Sequence, residues 1–158
     1  MPYLIDDDIK ITESHAIYRY ICNKYRPDLL GKTIKDKAQV DMVMSVTQDL
    51  KNASFPIAYD SGDIEAMKAL AYERMAPISK FLGEEKEFLV GDYVTFVDFF
   101  LFEQIEFFNF ACDSELVKKH ANLGRYRERM ASLSGLKEYL ASDRCVKRPF
   151  NGKRAKIT

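Results

Sequence analysis

Val94-Thr95-Phe96-Val97-Asp98-Phe99-Phe100-Leu101-Phe102 joins a helix-start signal to an apolar run. Thr95 and Asp98 have the spacing of a capping box with Asp in the reach-back position: the hydroxyl accepts from the Asp98 amide and the carboxylate returns to the Thr95 amide. Val94 and Phe99 occupy the two positions of a hydrophobic staple, which fixes the angle at which the chain enters the helix. Beyond the cap, Phe100, Leu101, Phe102, Ile105, Phe107, Phe108 and Phe110 leave almost no polar side. A helix apolar nearly all round is a buried one, so this segment predicts the central helix of a bundle.

Working outward, the same period recurs on both sides. Asp63 reads as an N-cap, and Met67, Leu70, Ala71, Met75, Ile78, Phe81 and Leu82 follow helical spacing, with Arg74 breaking the face and Pro77 predicting a kink. Thr33-Ile34-Lys35-Asp36 resembles a second capping box, followed by an apolar stripe of Ala38, Met42, Val46 and Leu50 up to Phe55-Pro56. An earlier helix carries Ala16, Ile17, Tyr20 and Ile21 on one face and stops before Pro27. At the front, Tyr3-Leu4-Ile5 and Ile9-Lys10-Ile11 flank Asp6-Asp7-Asp8 and predict a β-hairpin with no further strand to complete its sheet. On the C-terminal side, Leu116-Val117, the Leu123 to Leu133 stripe and Leu136, Tyr139 and Leu140 predict shorter helices around a break at Gly135. The tail after Asp143 holds Arg144, Lys147, Arg148, Lys153, Arg154 and Lys156 and no acid, and reads as solvated or locally packed.

At 158 residues the chain removes roughly 70 % of its unfolded surface from water, enough for one core. Its 24 basic and 24 acidic side chains cancel, so no global field favours nucleic acid or an anionic membrane. Cys22, Cys112 and Cys145 have no CxxC spacing and the N-terminus has no signal-peptide pattern, which together predict a cytoplasmic protein. The apolar run from Phe96 to Phe110 is interrupted by polar residues and is too short to span a membrane. His15 and His120 lack ligating neighbours, so no metal is expected, and the dinucleotide, P-loop and serine-hydrolase signatures are absent.

The chemically informative junction is Ile11-Thr12-Glu13-Ser14-His15-Ala16. A helix that starts there turns free amides and the positive end of its dipole outward, a seat for a carboxylate. Ser14 adds a hydroxyl donor and Glu13 an anion suited to an ammonium, so the pair can hold both charged ends of an α-amino acid. The same residues also suit an ordinary Ser/Thr cap with an acid in the first turn.

Met1-Pro2-Tyr3-Leu4-Ile5-Asp6, Lys10-Ile11-Thr12-Glu13-Ser14-His15-Ala16-Ile17 and Arg19-Tyr20-Ile21 resemble the second half of the thioredoxin-like domain of cytosolic glutathione S-transferases, the mu class foremost and its sigma-like relatives next. The resemblance continues through Lys37 to Asp41, Asp49, Pro77 to Gly83, Phe88-Leu89-Val90-Gly91-Asp92, Thr95-Phe96-Val97-Asp98-Phe99 and Arg148-Pro149-Phe150. It implies a mainly α fold: residues 1–26 as the remnant hairpin and helix of a thioredoxin-like, glutathione-binding domain, and 27–158 as the all-α C-terminal domain with its basic tail. It implies that Pro2 is a cis-proline and that Met1 pairs its backbone with the cysteinyl part of glutathione. Glu13 and Ser14 would hold the γ-glutamyl group, Asp49 would reach the glutathione of a neighbouring subunit, and Tyr59 would line the electrophile pocket and assist the leaving group.

The departures are as informative. The family's domain begins with a β-α-β unit carrying the hydroxyl that keeps the glutathione thiolate ionised, and this sequence is expected to start after that unit, which fits the orphan hairpin. Glu13 stands where the mu class has Gln, and Ala121-Asn122-Leu123 where Pro-Asn-Leu is common. The implied function is a mu-like glutathione S-transferase, with glutathione as co-substrate, a small hydrophobic electrophile, no permanent cofactor, and a homodimer or a larger assembly as its state. As the sequence stands it is expected to lack the thiolate activator and so to be inactive. The alternative is a non-catalytic structural or scaffolding subunit, and, on the residues alone, a generic helical interaction domain.

Overall fold

The computed structural model describes residues 2–158. Met1, and with it the Met1–Pro2 peptide, lies outside the described residues. Strands β1 (Tyr3–Asp6) and β2 (Ile9–Thr12) pair antiparallel with Tyr3 opposite Thr12 and Asp6 opposite Ile9. Asp7 and Asp8 make the turn, Asp7 at φ 53°, a conformation its short polar side chain tolerates. The register puts Leu4, Asp6, Ile9 and Ile11 on a half-buried face and leaves Tyr3 74 % and Ile5 61 % exposed on the other. Among the described residues no further strand joins this sheet.

Helix α1 (Ser14–Tyr25) follows at once and ties the hairpin to the bundle. Tyr20 donates to Asp6 (2.8 Å), Lys24 pairs with the same carboxylate, and Tyr18 packs on Phe96 and Phe100 with ring centroids 6.4 and 6.3 Å away. After a 3-10 turn at Pro27–Leu30, α2 (Ile34–Phe55) starts from the expected box, with the Thr33 amide donating to Asp36 and the Asp36 amide to the Thr33 hydroxyl. Its inward face is not the expected stripe. Val40, Val43, Met44, Thr47, Leu50 and Ser54 are buried, whereas Met42 and Val46 are each 49 % exposed. Apolar residues lie on both sides of this helix, and the core takes the side that α4 covers.

A six-residue π turn, Pro56–Ser61, widens the end of α2 before α3 (Ile64–Leu82), whose N-cap Asp63 accepts from the Ala66 amide (3.0 Å). Met67, Ala71, Met75, Ile78 and Leu82 face the core, and α3 runs through Pro77 as one element. Central helix α4 (Phe96–Ala111) is buried at every position except Phe99, Glu103, Glu106 and Phe110. Three short helices, α5 (Glu115–Lys119), α6 (Ala121–Ser132) and α7 (Leu136–Ala141), close the bundle.

The α4 cap is more than a local device. Asp98 Oδ2 accepts from the Thr95 amide and the Thr95 hydroxyl, both at 2.7 Å, and Oδ1 from the Leu89 amide (2.9 Å) and the Tyr126 hydroxyl (2.8 Å). The Thr95 hydroxyl therefore donates to the carboxylate, and one buried side chain joins the loop before α4, the start of α4 and α6. Burial pushes the Asp98 carboxyl above its ordinary pKa and these four bonds oppose it; burial beside Asp98 pushes the Tyr126 phenol well up.

The basic tail is packed. Phe150 lies 5.7 Å from both Phe107 and Phe110, Ile157 is buried, and the Lys156 and Ile157 amides donate to the Ala58 carbonyl (2.7 and 3.3 Å).

Candidate functional site

The start of α1 is open. Glu13 precedes it at φ 69° and ψ 121°, a backbone region that costs a non-glycine residue on the order of 1–3 kcal/mol. Among the described residues no side chain caps this terminus, no acid occupies the first turn, and the first intrahelical bond runs from the Ile17 amide to the Glu13 carbonyl (3.0 Å). Among the described residues the amides of Ser14, His15 and Ala16 find no acceptor, and neither the Glu13 nor the Ser14 side chain has a hydrogen-bond partner. Ser14 is the first helical residue rather than a cap, so of the two readings of this junction the structure has the uncapped one. Unpaired amides and the dipole of a 12-residue helix make an anion seat, with the Glu13 carboxylate beside it.

One face of α2 leads away from this seat. His15 Nε2 donates to Gln48 Oε1 (2.9 Å), and Gln48 Nε2 donates to Asn52 Oδ1 (2.7 Å). Lys51 sets its ammonium 5.2 Å from the Phe100 ring centroid, and Phe55 meets Tyr59 edge to face at 6.0 Å. Gln48, Lys51, Asn52, Phe55 and Tyr59 follow helical spacing, so a continuous side runs from the α1 start to the C-terminal tail, about 16 Å at the rise of a helix. At its far end the Tyr59 hydroxyl accepts from the Gly152 amide (3.0 Å), and Tyr59 with Phe55, Pro56 and Asp60 lines a depression of about 390 Å³. A separate apolar groove of about 310 Å³ runs between α1 and α4, walled by Tyr18, Ile21, Cys22, Phe96 and Phe100 with Glu103 at its rim. Burial raises the Tyr18 phenol, Glu103 adding to it, and burial raises the Cys22 thiol.

Of the residues singled out in the sequence, Glu13 and Ser14 meet at the seat and Tyr59 lies at the other end of the α2 face. Asp49 is exposed on the outward side of α2, in line with Met42 and Val46, and Pro2 is exposed at the start of the hairpin. Met1 falls outside the described residues. Sequence reasoning missed Gln48, Lys51, Gln104 and Gly152; the one available signal was Gln104 among the polar residues that interrupt the apolar run of α4. Among the described residues no three His, Cys, Asp or Glu side chains converge as metal ligands, and no helix is long and apolar enough to cross a membrane.

A hairpin and open helix start set on an all-α bundle is an architecture with known counterparts. Residues 1–23 match the family model of the glutathione S-transferase N-terminal domain and residues 49–143 that of the glutathione S-transferase C-terminal domain. The chain belongs to the glutathione S-transferase family. It is 33 % identical over 154 residues to glutathione S-transferase 2 of Gallus gallus, covering 95 % of this chain and 68 % of that one. With glutathione S-transferase Mu 3 of Homo sapiens it is 33 % identical over 159 residues, covering 98 % of this chain and 68 % of the relative. Its fold superposes on the crystal structure of the glutathione S-transferase Blo t 8 with a TM-score of 0.86 at 24 % identity, over 99 % of this chain and 75 % of that one.

Proposed function

We propose that this chain holds glutathione at the start of α1. The observation that carries the reading is the set of unpaired first-turn amides beside Glu13 and Ser14. In this reading the γ-glutamyl carboxylate takes the amides and the Ser14 hydroxyl, Glu13 takes the ammonium, and the Met1 and Pro2 backbone takes the cysteinyl part. A small hydrophobic electrophile lies farther along the α2 face, at Tyr59, as in a mu-like transferase. A homodimer through the outward face of α2 puts Asp49 beside the exposed Met42 and Val46, within reach of a second subunit's glutathione.

We propose further that these 158 residues bind glutathione without activating its thiol. Tyr59 is separated from the seat by most of the α2 face and its oxygen already accepts from Gly152. A thiol left at about pKa 8.5 is only a few per cent thiolate at neutral pH. Calorimetry should find weak glutathione binding that falls about tenfold in Ser14→Ala, with the unfolding midpoint unchanged because Ser14 caps nothing. Conjugation of a chlorinated nitroaromatic should not exceed the uncatalysed rate. Binding that ignores Ser14→Ala overturns the seat, and conjugation at a rate typical of the family shows that Tyr59 or another residue activates the thiol.

A further inference from the structure

Gln104 is buried to 4 % exposure in the middle of α4, yet among the described residues nothing hydrogen-bonds its side-chain amide. The other buried polar side chains of that helix are engaged: Asp98 accepts four bonds and Asn109 Oδ1 accepts from the Val117 amide (3.2 Å). Solvent still reaches the polar atoms of Gln104, so water satisfies its amide in the free protein, whereas the one fully buried side-chain polar atom without a partner among the described residues is His120 Nε2. The amide of Gln104 borders a cavity of about 40 Å³ between α2, α4 and the tail, with Lys51, Phe55, Phe107, Phe150 and Asn151 around it. That volume admits a water or one small polar group.

The surroundings define the guest. Lys51 on α2 and Glu103 on α4 stand at the cavity, and neither lies within 4.0 Å of an opposite charge among the described residues. One cation and one anion facing the same space give it no net preference for a charged group. Asn151 spends its Nδ2 on the Ile157 carbonyl (2.8 Å), so its Oδ1 is left as an acceptor, and Gln104 supplies both a donor and an acceptor. Phe55 is shared with the Tyr59 depression and, with Phe107 and Phe150, offers aromatic surface to whatever carries the polar group.

We infer that Gln104 is a specificity-determining residue: it selects ligands whose aryl body carries a neutral group that both donates and accepts a hydrogen bond, a carboxamide being the simplest. That such ligands are the electrophiles rests on the transferase reading; the polar cavity does not.

The test is an NMR titration of the full chain with 4-chlorobenzamide and with 4-chloroacetophenone, which has the same shape but no donor, alongside a glutathione titration. The amide should bind about fivefold more tightly and shift the Gln104 side-chain amide resonances. Gln104→Leu should bring the ratio to about one, and Gln104→Met, equally unbranched, carries the same expectation should the leucine variant fold poorly. Equal binding of the two probes by the native chain, including a cavity that only holds water, overturns the inference, as does a preference that survives in a folded Gln104 variant. Absence of glutathione binding beside an intact amide preference overturns the proposed function and leaves this site standing.

Discussion

The starts of α4 and α1 are built from similar residues and resolved in opposite ways. At α4, a hydroxyl and an acid three residues apart turn toward each other, and the acid satisfies four donors in the core. At α1, an acid and a hydroxyl stand side by side, neither bonds anything among the described residues, and the backbone at Glu13 is strained. The first spends its polar groups on the fold. The second leaves them outward and unspent, with the Glu13 backbone held at positive φ.

The most damaging way to break this contrast is Asp98→Ala, which leaves the Leu89 and Thr95 amides and the Thr95 and Tyr126 hydroxyls without their acceptor. It should cost about 3–5 kcal/mol in a guanidinium titration, and an unchanged midpoint would reduce the cap to a surface ornament. Burial raises the Asp98 pKa, so between the ordinary and raised values the folded state carries the extra proton and this residue's contribution falls as pH rises. Glu13→Gly sharpens the other side: glycine relieves the positive φ, so the chain should gain about 1 kcal/mol while glutathione affinity drops, a gain and a loss from one substitution. A variant that loses both would make Glu13 a structural residue.

The smallest effect lies in the hairpin. The Lys24 ammonium, and after it the Tyr20 hydroxyl, hold the Asp6 carboxyl below its ordinary pKa. A depressed carboxyl stabilises the fold above its unfolded value of about 3.9 and loses that contribution as pH falls through the folded one. In acid titrations of stability, Lys24→Ala should flatten the low-pH slope, and 1 M salt should do the same to the native chain because the pair is exposed. A slope indifferent to both would leave Tyr20 alone as the cause.

What could be read in the sequence was local. The α4 and α2 boxes need only neighbours three residues away, and both lie where their spacing put them. The inward side of α2 could not be read, because Met42 and Val46 are as apolar as Val43 and Met44 and only contact with α4 decides between them. The tail's six cations left it between solvated and locally packed, and contact decides for the second, with Phe150 and Ile157 fastening it to Phe107 and Ala58. At the site, Glu13 and Ser14 are adjacent in sequence and were visible, while Gln48, Lys51 and Gln104 acquire meaning only once two helices and the tail meet.

The hairpin that delivers Glu13 has no fully buried residue from Pro2 to Glu13, and α1 buries Cys22 alone. Segments so thinly anchored open on their own, well below the free energy that unfolds the core around α4. On the proposed function, glutathione in the seat should slow the opening of the hairpin and α1 while the central bundle exchanges its amide protons as before. On that reading the molecule has a loosely held edge whose order follows what it binds, fastened to a core whose order does not.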